Sequence, residues 1–101
     1  MTLDEMQDGI LKVARAYGQR FDVSIDQDFA ILKLYEEVGE YAQAVLIHRR
    51  KSKPEKHKSE AETKVMLGAE LADIVGMAVL NASLFGLDLE KAIKDKWLNK
   101  I

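Results

Sequence analysis

The chain has 101 residues, a formal net charge of -2 and no cysteine; 48% of its residues are hydrophobic and 32% charged. That length corresponds to one domain with one modest core. The absent cysteines exclude a disulfide scaffold, a thiolate metal site and a cysteine nucleophile, and two histidines, His48 and His57, leave little for an imidazole site. A pI of about 5.7 argues against a general nucleic-acid binder.

The N-terminus, Met1-Thr2-Leu3-Asp4-Glu5, has neither a basic nor an apolar leader segment. The most apolar stretch, Ile74 to Leu87, is interrupted by Gly76, Asn81 and Ser83 and reads as too short and too polar to span a membrane. The expectation is a cytoplasmic protein without a membrane partner.

Four helices are predicted in chain order. The first covers about Leu3 to Arg20, opened by a Thr2/Glu5 capping box, with Met6, Ile10, Val13, Ala14 and Tyr17 at helical spacing. The second covers about Gln27 to Arg50 with Asp26 as N-cap, and its apolar stripe is Ile31, Leu34, Val38, Tyr41, Ala42 and Val45. Lys51 to Ser59 holds the single proline, Pro54, and reads as a basic loop. The third helix starts with a Ser59/Glu62 capping box, runs to about Phe85 and stops at Gly86. The fourth spans about Asp88 to Asn99, with Leu89, Ala92, Ile93 and Trp97 on one face. No strand pattern competes. The fold class is all-α, one domain over 1–101, with a four-helix bundle-like arrangement.

The chemistry concentrates on helices two and three. Helix two carries Glu36-Glu37-Val38-Gly39-Glu40, and helix three carries Glu70-Leu71-Ala72-Asp73. Glu37 and Glu40 are three apart, as are Glu70 and Asp73, so each pair shares a helix face. Most charge runs are solvated faces, and like charges at this spacing cost an isolated helix a few tenths of a kcal/mol. Here each pair is embedded in apolar sequence, and from Met66 to Leu80 the only charges are Glu70 and Asp73. If helices two and three form an antiparallel hairpin, four carboxylates converge in a partly desolvated groove. Such a cluster calls for a counter-charge, and a hard divalent cation such as Mg²⁺ suits an all-oxygen site. Zn²⁺ is disfavoured, because no thiolate or imidazole stands at ligand spacing.

The paired motif, Glu36-Glu37-Val38-Gly39-Glu40 followed by Glu70-Leu71-Ala72-Asp73-Ile74-Val75, resembles the all-α nucleoside triphosphate pyrophosphohydrolases of the MazG type. Gly86-Leu87-Asp88-Leu89-Glu90-Lys91-Ala92, with Lys94 and Lys96, is similar to that family's closing segment. The resemblance implies hydrolysis of (deoxy)nucleoside triphosphates between the α and β phosphates, giving a monophosphate and pyrophosphate in nucleotide house-cleaning. It implies Mg²⁺, with Mn²⁺ as a substitute, held by Glu37, Glu40, Glu70 and Asp73. Glu36 would have a water-orienting role among the catalytic residues. It also implies homodimers or dimers of dimers that complete the bundle and the active site. A phosphoribosyl-ATP pyrophosphatase is the alternative enzyme, and a non-catalytic helical module with an acidic face is the alternative of another class. The chain departs from the family in its long gap from Glu40 to Glu70. It also lacks a Lys-x-x-x-Arg ending, which leaves open which basic residues grip phosphate.

Three further residues are candidates for substrate contact. Lys33 is four residues before Glu37 and reads either as a phosphate contact or as an i,i+4 ion pair. Asn81 is eleven residues after Glu70, about 20° from it on an ideal helix, and reads either as a sugar or base contact or as a satisfied core amide. Lys96 reads either as a phosphate ligand or as a solvated lysine at a helix C-terminus. Tyr41, Phe21 and Trp97 offer rings for base stacking, although aromatics at helical spacing more often pack in a core or a dimer interface. His48 and His57 receive no catalytic role.

Overall fold

A computed structural model describes residues 1–100; Ile101, the last residue of the closing segment, lies outside them. The architecture is all-α. The helices are α1 (Leu3–Phe21), α2 (Gln27–His48), α3 (Glu60–Leu84) and α4 (Leu89–Lys96), with single 3₁₀ turns at Pro54–Lys56 and Leu98–Lys100. Among the described residues there is no strand.

The helix starts follow the caps. Asp26 accepts from the Phe29 N–H and Asp88 from the Lys91 N–H. Ser59 and Glu62 form a complete capping box. Thr2 accepts from the Glu5 N–H, but its own hydroxyl, not its backbone N–H, donates to the Glu5 carboxylate. The first box is therefore only half of the expected reciprocal pair.

The helix ends share one device. At Asp22, Arg50 and Gly86 the backbone turns left-handed, at φ 52°, 59° and 68°. In each case the next N–H returns five residues back: Val23 to Gly18, Lys51 to Leu46 and Leu87 to Ala82. These are Schellman closures, which satisfy orphan carbonyls at a helix end. Only the third has the glycine that announces such a stop, so α2 ends two residues before the expected Arg50. Gly18 has a separate reason to be glycine. The chain folds back over it, and a Cβ there would sit 2.7 Å from Ile25 and 2.8 Å from the Val23 carbonyl oxygen.

The predicted fourth helix is shorter than expected, ending at Lys96. Its expected inner face is open, with Trp97 69% exposed and Ile93 also exposed. Among the described residues the chain is thus a hairpin of α2 and α3, with α1 packed on α3 and α4 lying mainly against α1 and the terminal turn. It is not a closed bundle of four. Its buried core is small: Ala30, Ala44, Thr63, Val79, Leu80 and Ala82. The buried Thr63 hydroxyl donates to the Glu60 carbonyl and accepts from His48 Nδ1 at 2.7 Å, joining the end of α2 to the start of α3. Here His48 is a structural link.

The radius of gyration is 16.0 Å, against roughly 13 Å for a compact chain of this length. By length and composition α3 is also apolar enough to cross a membrane, which the shorter stretch Ile74 to Leu87 did not suggest. The core helices of water-soluble proteins meet the same criterion.

Candidate functional site

The hairpin places the two acidic motifs side by side. Glu37 and Glu40 from α2 and Glu70 and Asp73 from α3 each offer a carboxylate oxygen, and all four oxygens lie within 4.8 Å of one another. Three of these residues are half-buried and Asp73 is exposed. The cause is the i,i+3 spacing on each helix: both pairs fall on the sides of α2 and α3 that meet in the hairpin.

The cluster is electrostatically unsatisfied. Glu37 Oε2 and Glu70 Oε2 are buried and have no hydrogen-bond partner. Burial pushes the Glu37 carboxyl up to about 7, helped by the hydrogen bond to and repulsion from Glu40 and by the charges of Asp73 and Glu70. Burial raises Glu70 as well, with Glu40 and Asp73 adding repulsion. Carboxylates this close stabilise the protonated form unless a cation joins them. The donor set is oxygen only, which fits a hard divalent cation, and the two orphaned oxygens are unused ligand positions.

The remaining site residues divide. Glu36 lies outside the four-carboxylate group and is exposed, paired with Lys33 at 3.1 Å. Lys33 is therefore an i,i+3 partner of Glu36, where an i,i+4 pairing with Glu37 was the expected ion pair. This hydrogen bond raises the Lys33 ammonium above its usual range. Asn81 donates through Nδ2 to the carbonyls of Ala30 at 3.0 Å and Met77 at 2.7 Å. Those bonds tie α3 to the start of α2, so its amide protons serve the fold, as in the satisfied-core alternative. Lys96 is the last residue of α4 and is exposed, as in the solvated-lysine alternative. Of the possible stacking residues, Phe21 packs on Tyr17 at 4.9 Å, Tyr41 is half-buried and Trp97 is exposed.

Beside the cluster runs an apolar groove of about 680 Å³. Its wall is one face of α1, including Ile10, Val13 and Tyr17. Its floor is Phe29, Lys33 and Glu37 of α2 with Met77 and Leu80 of α3. Sequence reasoning found the α1 stripe but not Phe29 or Met77 as its neighbours. The available signal was the i,i+4,i+8 series Phe29, Lys33, Glu37, which puts an aromatic residue, a cation and a metal-ligand candidate on one line of α2.

No known protein family matches the chain, and no solved structure matches it. The chain is similar to "Uncharacterized protein YvdC" of Bacillus subtilis (strain 168), 38% identical over 63 residues. The matched region covers 60% of this chain and 59% of that protein. The chain thus matches less than two thirds of the length of this relative, whose name states no activity.

Proposed function

We propose that the protein is a Mg²⁺-dependent nucleotide pyrophosphohydrolase. It cleaves (deoxy)nucleoside triphosphates between the α and β phosphates and releases a monophosphate and pyrophosphate. The observation that carries this reading is the group of four carboxylates within 4.8 Å, two of them with buried, unpartnered oxygens. Glu37, Glu40, Glu70 and Asp73 would hold the cation. Once bound, Mg²⁺ draws charge from the phosphate oxygens and makes a neighbouring water easier to deprotonate.

The chain's own residues supply the rest. The groove accepts the apolar faces of a base or sugar beside the carboxylates, with Ile10, Val13 and Tyr17 as its wall. Lys33, at the groove floor, is the nearest candidate to meet phosphate charge, on exchanging its Glu36 partner for the substrate. Glu36, freed by that exchange, would have the water-orienting role that the motif resemblance implies. The reading includes a cytoplasmic location and self-association, and it does not call for nucleic acid as a partner. Its further support is the MazG-type motif pair on α2 and α3.

The test is pyrophosphate release from a panel of nucleoside triphosphates, with phosphoribosyl-ATP included, with and without Mg²⁺. The wild type should release pyrophosphate only with the cation. Glu40→Ala and Asp73→Ala should each lower kcat by at least two orders of magnitude with helicity unchanged. A wild type inactive on every substrate, or variants as active as the wild type, would refute the assignment.

A further inference from the structure

The segment that joins α2 to α3 carries charge that the carboxylate site does not use. Residues 49–58 hold six cations, Arg49, Arg50, Lys51, Lys53, Lys56 and Lys58, against a single acid, Glu55. The segment is therefore +5 within a chain of net charge -2, which leaves -7 on the other 91 residues. The acidic pI belongs to the body of the chain and not to the tip of the hairpin.

All six cations are exposed, and among the described residues none of them lies in an ion pair. The acids that follow are engaged elsewhere. Glu60 pairs with Lys64 at 3.5 Å, and Glu62 accepts from the Ser59 backbone N–H in the capping box. Like charges this dense repel one another, so they add nothing to the fold of the segment that carries them. The backbone nonetheless holds them in place. Pro54 opens a 3₁₀ turn in which the Lys56 N–H donates to the Lys53 carbonyl at 2.9 Å and the His57 N–H to the Pro54 carbonyl at 3.0 Å. Arg50 is left-handed at φ 59°, in the closing position that Gly86 occupies after α3. An arginine is strained there and a glycine is not, so this stop keeps a cation where glycine would close the helix more easily.

The chemistry around the cations selects the partner. Residues 42–84 contain no Phe, Tyr or Trp, so the tip has no ring to stack on single-stranded bases. Residues 49–58 contain no large apolar side chain. The tip therefore lacks both an anchor for the desolvated centre of a protein interface and a wedge for a bilayer. What it offers is closely spaced positive charge. A nucleic-acid duplex offers the complement, one phosphate per about 1.7 Å of its axis, whereas a bilayer dilutes its anionic headgroups among neutral ones. We propose that the α2–α3 link is a docking tip for the phosphate backbone of double-stranded nucleic acid, bound without regard to sequence. The same phosphates repel the acidic body, so the duplex is steered to the tip. Along α2, Arg49 is nine residues beyond Glu40, about 14 Å at the helical rise and beyond a Debye length of about 8 Å at physiological salt. The tip is thus separate from the carboxylate group and does not depend on the pyrophosphohydrolase reading.

The test is the fluorescence anisotropy of a labelled mixed-sequence DNA duplex titrated with the full chain in EDTA, at KCl from about 50 to about 200 mM. The association constant should fall with a log–log salt slope of about -4, or about 250-fold across that range, within the ceiling of about -5 for six cations. Lys51→Gln, Lys53→Gln and Lys56→Gln combined should flatten the slope by about 2.7, at about 0.9 per lost phosphate contact, and weaken binding more than about tenfold at the lowest salt. Lys12→Gln, Lys94→Gln and Lys100→Gln combined remove the same charge from exposed positions elsewhere and should bind as the wild type does. Arg50→Gly should weaken binding while raising Tm, which separates a lost contact from lost folding if the triple loop variant fails to fold. Absence of binding at the lowest salt, a slope near zero or a triple loop variant with the wild-type slope overturns the proposal. So does an equal loss in the control triple variant, or wild-type binding by Arg50→Gly. Tighter binding to the unpaired strand than to the duplex overturns it too, as does sedimentation with phosphatidylserine vesicles without duplex binding, which makes lipid the occupant. Glu40→Ala and Asp73→Ala should keep the wild-type slope whatever their activity, so the two readings fail separately.

Discussion

The two faces of the α2–α3 hairpin are made by the same two helices and leave different things unsatisfied. Toward α1 the deficit is polar: four carboxylates within 4.8 Å, with Glu37 Oε2 and Glu70 Oε2 buried and unpartnered. Away from α1 the deficit is apolar: Ile31, Val38, Leu71 and Val75 stand in solvent. The first deficit calls for a cation and the second for apolar cover. The two sides of one helix pair thus leave different kinds of group unsatisfied.

The comparison is broken most strongly through the residues that hold the hairpin itself. Leu80 is fully buried on α3, beneath the groove and beside the carboxylate face. Leu80→Ala should destabilise the protein by about 2–5 kcal/mol in urea denaturation, through lost transfer energy and a residual cavity. A smaller loss would mean that the groove collapses into the space.

The polar face is sharpened by pH. The Glu37 carboxyl is raised to about 7 from a usual value near 4.5, so folding favours its protonated form. Its contribution is therefore fully present below about 4.5 and is lost as pH rises through about 7. Without divalent cations, wild-type Tm should fall relative to Glu37→Gln between those values, by a few degrees, on the order expected for a small domain. Mg²⁺ should raise the wild-type Tm at pH 8 and leave that of Glu37→Gln much less changed. Parallel Tm curves for the two proteins across pH 4–8 would contradict this account.

The smallest effect is expected at the rim. Lys33→Ala removes an exposed i,i+3 pair with Glu36 and should change stability by about 0–1 kcal/mol. If Lys33 meets phosphate, the same variant should raise KM several-fold in the pyrophosphate assay, which separates its two roles.

The elements were legible in the sequence because their signals are local. Asp26, Ser59 and Asp88 cap the helices that follow them, through bonds to N–H groups three residues on. The stop at Gly86 is as expected. The end of α2 was legible to within two residues of Arg50, but not its left-handed closure, because a left-handed arginine has no sequence signature. The acid pairs were legible as pairs, because i,i+3 spacing alone puts Glu37 with Glu40 and Glu70 with Asp73. Their meeting in one group needed the hairpin.

What the amino-acid sequence by itself determined is therefore the helices, their caps and the faces that each presents, since these depend on neighbours within four residues. The tertiary structure decided which faces are covered. The stripe Ile31–Val38–Val45 is the strongest apolar signal on α2, yet the fully buried residues of that helix are Ala30 and Ala44, on the side shared with the carboxylates. Asn81 reads as a ligand contact or a core amide until its partner at Ala30, 51 residues away, is known. Trp97 and Ile93 look like a buried face until α4 is found lying mainly against α1 and the terminal turn, with both side chains exposed. Periodicity records where apolar side chains point. Whether the same chain has area enough to bury them depends on contacts between residues far apart in sequence, which no local pattern encodes.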